Sequence, residues 1–224
     1  IRQTANAFNQ MRTRIKRFLK QRTDMLAGVS HDLRTPLTRM KLQSSLLKDE
    51  KAKKELELDI NEMTAMLDSY VSFVRSETPE PIENINLNKF LKEIIRNIDK
   101  KSFEIIFEEK DVIKTSGRPL QLKRAFQNII DNSVRYSNKI NIEISINDEG
   151  CCITLEDNGP GIPYKNYEAV FKPFFTLDPS RNKLKGESGL GLSITRDIIR
   201  SHGGEIKLDK SKFGGLKSII HLPI

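Results

Sequence analysis

Apolar residues recur with a three-four spacing through the first third of the chain, in two stripes separated by the polar break Lys48–Lys51. Such spacing predicts two amphipathic helices in coiled-coil geometry. A hairpin of two helices cannot bury both of its stripes alone, whereas two copies that form a four-helix bundle can. We therefore expect a homodimer. The stripes consist of Phe8, Met11, Ile15, Phe18, Met25, Val29, Leu33, Leu37 and Met40 in the first helix, running toward Leu47, and of Leu56, Ile60, Met63, Leu67, Tyr70 and Val74 in the second.

The pattern changes after the segment Ser76–Pro81, whose Ser, Thr and Pro residues indicate a linker. Beyond it, runs of helical period and short β-branched runs predict an α+β sandwich with helices on one face of a mixed sheet. The stretch Asn158–Ser188 is long and irregular, which is typical of a lid over a site. The predicted helices are Leu87–Ile98, Pro119–Tyr136 and Gly189–Ser201, and the predicted strands are Phe103–Phe107, Val112–Thr115, Ile140–Ile146, Cys151–Glu156, Glu205–Leu208 and Leu216–Leu222.

The composition argues against several classes of protein. The net charge is +8, but lysines and arginines are spread over all 224 residues, so we expect no nucleic-acid partner. Cys151 and Cys152 are the only cysteines, and as neighbours on a strand they would point to opposite faces, which disfavours a mutual disulfide. No apolar stretch reaches the ~18 residues that span a bilayer. Because the chain starts at Ile1 inside a helical pattern, we expect a piece of a longer protein with room for membrane segments elsewhere.

The run Val29–Leu37 places a histidine among polar groups. Neutral imidazole is a competent nucleophile, and the neighbouring Asp32 is placed to orient the ring of His31 or to accept its proton. Thr35 follows four residues after His31 and shares its helix face, where a hydroxyl can position a water against a phosphoryl group. The alternative is a surface histidine beside a helix-capping aspartate.

Two asparagines, Asn128 and Asn132, lie one turn apart in a predicted helix, so both amides face the same way. An amide oxygen is a hard, neutral ligand that suits Mg²⁺, a cation that bridges phosphate oxygens. Arg135 and Tyr136 follow within a turn and can reach the same phosphates. These residues predict a magnesium and phosphate site on this helix face, with an ordinary polar face as the alternative.

A first glycine-rich segment, Asp157–Gly161, follows a predicted strand. The carboxylate of Asp157 can accept a hydrogen bond from the exocyclic amine of adenine, whereas guanine presents a carbonyl at that edge, which predicts ATP over GTP. Gly159 and Gly161 let the backbone turn closely around the base. An ordinary turn is the alternative, because Asn-Gly and Gly-Pro are common turn pairs.

A second glycine-rich segment includes Gly189, Leu190 and Gly191 at a predicted helix start. Backbone N–H groups exposed there bind phosphate together with the helix dipole. The strand-helix-strand context of a dinucleotide fold is absent. The aromatic run Phe171–Phe175 lies in the predicted lid, and its rings either pack when nucleotide orders the lid or belong to the core.

Each motif is ambiguous alone, but their joint order predicts a chain that moves a phosphoryl group from ATP to its own histidine. The stretch Ala27–Arg39 and the segments after it resemble the bacterial sensor histidine kinases, with their phosphoacceptor helix, asparagine box, two glycine boxes and phenylalanine box. The stretch is especially similar to the EnvZ-type osmosensing kinases. The segment Phe8–Asn9 resembles the last helix of a HAMP linker.

The resemblance implies three regions: the end of a HAMP-like linker helix at 1–20, a dimerisation and histidine-phosphotransfer hairpin at 21–77, and a Bergerat-type ATP-binding domain at 85–224. It also implies the cytoplasmic part of a bacterial inner-membrane sensor that uses ATP and Mg²⁺ and has an OmpR-like response regulator as partner. The roles implied are phosphoacceptor for His31, acid or base for Asp32, phosphatase residue for Thr35, Mg²⁺ ligand for Asn132 with Asn128 beside it, and adenine recognition for Asp157.

The chain departs from the family pattern at Gly186, which is followed by Glu187 where a second glycine is common. A carboxylate near a triphosphate predicts weaker ATP binding or lid closure without loss of activity. Residues 76–84 are expected to form a mobile linker that lets the nucleotide domain reach His31. Two alternatives remain: an ATPase or chaperone-like relative that needs no phosphoacceptor, and a degenerate kinase that acts as a nucleotide-sensing scaffold or phosphatase.

Overall fold

A computed structural model describes residues 2–75, 80–96, 98, 103–108, 112–147, 150–177 and 189–224. Among these, 2–75 belong to one unit and the rest to a second. No helix in the described part of the chain combines the length and the apolar character needed to cross a membrane.

The first unit is a helical hairpin of α1 (Arg2–Ser44) and α2 (Glu50–Arg75). The second helix begins inside the predicted polar break, because the carboxylate of Asp49 accepts the backbone N–H groups of Lys51 and Ala52 at 2.9 and 3.3 Å and so caps it. Leu37 and Ile60 are buried, and Lys41 Nζ donates to Asn61 Oδ1 at 3.2 Å across the hairpin.

Most of the predicted stripe lies exposed in a single copy of the hairpin. Nine of its apolar side chains are between 38% and 69% exposed, namely Phe8, Met11, Phe18, Met25, Val29, Leu33, Met40, Leu56 and Met63. The two helices therefore bury little of their apolar surface against each other. Covering the remaining apolar surface requires a binding partner outside this hairpin.

The second unit contains two sheets and three helices among its described residues. Its elements are β1 (Glu83–Asn86), α3 (Leu87–Arg96), β2 (Glu104–Glu108), β3 (Lys114–Gly117), α4 (Pro119–Tyr136), β4 (Lys139–Asn147), β5 (Gly150–Asp157), α5 (Gly191–Ser201), β6 (Glu205–Lys210) and β7 (Leu216–Leu222). The larger sheet has five strands in the order β2-β4-β5-β7-β6. Because β2 is parallel to β4 and the other pairs are antiparallel, the sheet is mixed.

The core of the second unit lies between this sheet and its helices. The fully buried side chains include Leu87 and Leu91 of α3, Leu122 and Phe126 of α4, Ile199 of α5, and Ile140, Ile142, Ile153 and Ile220 of the sheet. The α+β prediction is confirmed. The cysteines also follow the prediction: both are free, Cys151 is buried on the core face, and burial raises the pKa of its thiol to about 12.

Several elements begin or end one or two residues away from their predicted bounds, and three differences are more informative. Strand β1, which pairs antiparallel with β3, occupies residues predicted as linker, so the expectation of a mobile linker is wrong at positions 83 and 84. The stretch predicted as irregular contains two short 3-10 helices, Tyr164–Asn166 and Ala169–Phe171. Helix α5 begins at Gly191 instead of Gly189, because Gly189 has a φ of 63° and cannot join the helix.

Candidate functional site

Asp157 ends strand β5 with its side chain buried, and three described donors hold its carboxylate. Oδ1 accepts the backbone N–H groups of Gly159 at 2.9 Å and Leu216 at 3.0 Å. Oδ2 accepts the hydroxyl of Ser133, on helix α4, at 3.1 Å. The carboxylate is thus fixed by three separate elements, which is the kind of preorganised acceptor that base recognition requires.

The glycines around Asp157 bring other backbone segments close to it. A Cβ on Gly159 would lie 2.9 Å from the carbonyl oxygen of Tyr136 at the end of α4. Gly161 has a φ of 67° and lies against the backbone of Gly215, in the turn between β6 and β7. A Cβ on Gly215 would collide with Oδ1 of Asp157 and lie 2.5 Å from the backbone nitrogen of Gly159.

The turn between β6 and β7 is held from the opposite face of β5 as well. Glu156 is buried, and its carboxylate accepts the backbone N–H of Lys212 at 3.3 Å and forms a 3.1 Å ion pair with Lys217. Adjacent carboxylates of β5 therefore fix the same turn from both faces. The sequence patterns did not predict this role, although the Gly214–Gly215 pair between two strands was an available signal.

Asn128 and Asn132 lie on α4 as predicted, and both are half-buried. The amide nitrogen of Asn128 donates to the carbonyl oxygen of Gly191 at 3.1 Å, so this residue links α4 to the start of α5. Arg135 and Tyr136 are exposed in the last turn of α4. The asparagine face thus adjoins the second glycine-rich segment, although it is separated from that segment by about sixty residues of sequence.

The second glycine-rich segment turns sharply before α5. The carbonyl of Gly189 accepts the N–H of Phe174 at 3.0 Å, and a Cβ on Gly189 would lie 2.9 Å from the carbonyl carbon of Phe174. Leu190 is buried and precedes the first residue of α5, Gly191. Gly186 and Glu187 lie outside the described residues, so the weaker ATP binding or lid closure expected from Glu187 stays a prediction.

The aromatic run divides between core and surface. Phe171 is buried, and the guanidinium of Arg196 on α5 lies 4.5 Å from its ring centroid while also pairing with Glu168 at 3.0 Å. Phe174 is more than half exposed and has a φ of 63°, an unusual conformation for a bulky side chain. Of the two interpretations of these rings, membership of the core therefore applies to Phe171 and does not apply to Phe174.

His31, Asp32 and Thr35 lie together on helix α1, in the other unit. The side chain of His31 is outside what the structure describes, whereas those of Asp32 and Thr35 are exposed. Thr35 lines a groove of about 440 Å³ with Arg34, Thr38, Arg39 and Leu42. This surface combines hydroxyl groups with two arginines, which suits an acidic or phosphorylated partner.

The start of helix α4 carries a cluster that the sequence did not predict. The carboxylate of Glu80, in the predicted linker, accepts the N–H groups of Leu120 at 2.6 Å and Gln121 at 3.2 Å. His202 Nε2 accepts the N–H of Arg118 at 2.9 Å, and Nδ1 lies 2.7 Å from the carbonyl oxygen of Ile198. The neutral tautomer with hydrogen on Nδ1 satisfies both bonds, and burial lowers the pKa of His202.

The described residues offer a single candidate type of protein ligand for Mg²⁺, the amide oxygen predicted from the sequence. Among the described residues no group of three or more His, Cys, Asp or Glu side chains is placed to hold a metal. The half-buried amide of Asn132, one turn beyond Asn128, still fits the chemistry. A Mg²⁺ ion bound with a nucleotide keeps several waters and takes phosphate oxygens as ligands, so it needs few protein donors.

Two family models match this chain. Residues 117–224 match the histidine kinase-, DNA gyrase B- and HSP90-like ATPase family, and residues 21–79 match the His Kinase A (phospho-acceptor) domain. The nucleotide-fold match covers the Asp157, asparagine and glycine segments. The phospho-acceptor match covers His31.

Two known sensor histidine kinases resemble this chain along nearly its whole length. The sensor histidine kinase GtrS of Pseudomonas aeruginosa is 33% identical over 99% of this chain and 46% of its own length. The sensor histidine kinase CpxA of Escherichia coli is 31% identical over 97% of this chain and 50% of its own length. The chain therefore spans about half the length of these relatives.

Solved structures agree on the fold of the second unit. The ATP-binding domain of PrrB from Mycobacterium tuberculosis has a TM-score of 0.54 and 21% identity, and the match covers 63% of this chain and 96% of that one. The phospho-acceptor match and the ATPase match occur in this one chain, in that order. The chain belongs to the sensor histidine kinases, of which it contains the phospho-acceptor and ATPase regions.

Proposed function

We propose that this chain phosphorylates itself on His31 with ATP and then passes the phosphoryl group to an aspartate of a response regulator. The observation that carries the proposal is the fixed carboxylate of Asp157 beside the glycine turns, in a unit distinct from the helix that carries His31. The site residues keep the roles predicted from the sequence.

The nucleotide is proposed to bind in the second unit. The carboxylate of Asp157 accepts a hydrogen bond from the exocyclic amine of adenine. Gly159 and Gly161 shape the turn beside the base. Backbone N–H groups at Gly189, Leu190 and Gly191, near the start of α5, hold the phosphates together with Arg135 and Tyr136. Asn132, with Asn128 beside it, provides the amide oxygen for Mg²⁺, which would neutralise charge on the phosphate oxygens when bound.

The transfer itself requires little covalent chemistry from the protein. A ring nitrogen of His31 forms a bond to the γ-phosphorus while the bond from that phosphorus to the β–γ bridging oxygen breaks, and ADP leaves. Asp32 orients the ring and accepts the proton from its other nitrogen. The second unit must bring its nucleotide to His31 for this step.

The partners follow from the same proposal. The exposed apolar stripe of the hairpin supports a homodimer in which two copies complete a four-helix bundle. The regulator is proposed to be of the OmpR-like type, and the whole protein to be a bacterial inner-membrane sensor whose upstream segments carry the membrane anchor. The region contained in this chain would then lie on the cytoplasmic side, without a nucleic-acid partner.

A second activity, dephosphorylation of the regulator, is proposed for Thr35. Its hydroxyl is exposed one helical turn after His31, in the groove that Arg34 and Arg39 also line. A water positioned there by the hydroxyl would attack a phosphorylated aspartate presented by the docked regulator.

The test is incubation of the purified chain with γ-labelled ATP and Mg²⁺, with His31→Gln as the matched control. The proposal predicts acid-labile, base-stable label on the wild type and none on the variant. Label that persists in His31→Gln would contradict the assignment of the phosphoacceptor. Bound ATP without any label would favour the scaffold or phosphatase alternative, and release of ADP without label would favour a simple ATPase.

A further inference from the structure

The hydrogen bonds that the carboxylate of Asp157 accepts within the protein leave one lone-pair direction to accept a hydrogen bond from a base. A carboxylate has about four lone-pair directions, two on each oxygen. The N–H groups of Gly159 and Leu216 take both directions on Oδ1, and the hydroxyl of Ser133 takes one on Oδ2. Among the described donors this leaves a single acceptor position, on Oδ2.

Ser133 differs from the other two donors in kind. Gly159 and Leu216 donate backbone N–H groups, which almost any residue supplies, whereas Ser133 donates a side-chain hydroxyl. That side chain is only 4% exposed, on the buried face of α4, in the position next to Asn132. Its one hydrogen is used on Asp157, so it determines which lone pair of Oδ2 remains free.

We propose that Ser133 is a positioning residue that sets the selectivity of the site for adenine by fixing the free lone pair of Asp157. This inference depends on the proposed binding of adenine by Asp157. With Ser133 in place, the single free acceptor direction matches the single N–H that the exocyclic amine presents. Without it, Oδ2 has two free directions and can accept a water or the ring N–H of guanine, so discrimination between bases falls.

The test compares nucleotide affinities of Ser133→Ala and the wild type, using the whole 224-residue chain. The probes are ATP, GTP and the triphosphate of purine riboside, which lacks the exocyclic amine. The loss of one hydrogen bond to a charged group predicts that the preference for ATP over purine riboside triphosphate falls about tenfold, with the affinity for the latter nearly unchanged. The preference for ATP over GTP falls in parallel.

Ser137→Ala serves as the matched control, because Ser137 lies one turn further on and its hydroxyl donates to the carbonyl oxygens of Ser133 and Lys139. It should leave the nucleotide preferences unchanged. Ser133→Cys provides a second variant of nearly the same size, whose weak thiol donor predicts a partial loss of preference. Thermal unfolding of each variant establishes that it is folded.

The outcomes separate this inference from the proposed function. A wild type without preference for ATP over purine riboside triphosphate would overturn the proposed role of Asp157 itself. A wild type that discriminates, with Ser133→Ala discriminating equally well, would overturn only the role of Ser133. An equal loss of affinity for all three nucleotides would also overturn it, because a purely structural serine would have that effect.

Discussion

Helices α1 and α4 are both amphipathic, but they differ in what covers their apolar faces. The apolar face of α4 is covered within the chain, with Leu122 and Phe126 fully buried. Most of the apolar stripe of α1 remains exposed, with Phe18 at 67% and Met25 at 69%. The same periodicity thus predicts a helix with an apolar face in both cases. It does not indicate whether that face packs against the same chain or against another one. The described core of the second unit is thus covered within the chain, whereas the hairpin is proposed to be covered by a second copy.

Two glycine substitutions should give the largest difference between the two units, in the change that each causes in the free energy of unfolding. Gly215→Ala places a methyl group against Asp157 and Gly159, and should destabilise the second unit by about 3 kcal/mol through overpacking. Gly28→Ala meets nothing within 4 Å on the exposed helix α1, and should stabilise the hairpin by about 0.5–1 kcal/mol. Hydrogen exchange resolved by peptide gives the change in each unit. Equal changes in stability from the two substitutions would contradict the contrast between a closely packed second unit and an exposed hairpin.

The exposed stripe gives the next effect in size. Met25→Glu puts a charge on the proposed dimer interface in both copies, and should weaken dimerisation by about 2 kcal/mol, or roughly thirtyfold in the dissociation constant. Sedimentation equilibrium measures this constant. Thr13→Glu, exposed on the face of the same helix that lies opposite the stripe, is the control and should change the constant little. A dimer that tolerates Met25→Glu would place the interface elsewhere.

The smallest effect concerns pH and should be confined to the second unit. The pKa of His202 is lowered in the folded state, so below about 6.5 the unfolded chain binds a proton that the folded chain does not. Stability is therefore full above that pH and falls as the pH drops toward the depressed pKa, by about 1 kcal/mol for the lost hydrogen bond to Arg118. Unfolding measured from pH 8 to pH 5 tests this.

His202→Gln keeps an acceptor for the N–H of Arg118 but does not titrate. Its unfolding free energy should lack this part of the pH dependence. If the wild type and the variant fall in parallel over this range, His202 is not the group responsible.

The sequence predicts local elements well and long-range contacts poorly. The helices and most strands follow from periodicity, and the four-residue spacing places Asn128 and Asn132 on one face. Strand β1 escapes prediction because only Ile85 of its four residues is buried and apolar, so it shows no alternation. Its partner β3 lies beyond α3 in the sequence, and pairing at that separation leaves no local signal.

The site shows the same division. Asp157 stands out because it ends an apolar run before two glycines, whereas the donors from Ser133 and Leu216 come from other elements. The Asn128–Gly191 bond joins two motifs that the sequence identifies separately. Glu80 was assigned to a linker because prolines flank it, and only the folded chain brings its carboxylate to the start of α4.

We propose that nucleotide binds to the second unit and that the hairpin accepts the phosphoryl group. The most direct measurement is the ATP affinity of His31→Gln, determined on the same preparations used for labelling. We expect an affinity within about twofold of the wild type together with complete loss of label. A loss of ATP binding of about tenfold or more in this folded variant would show that His31 belongs to the nucleotide site, and would contradict the division between the two units.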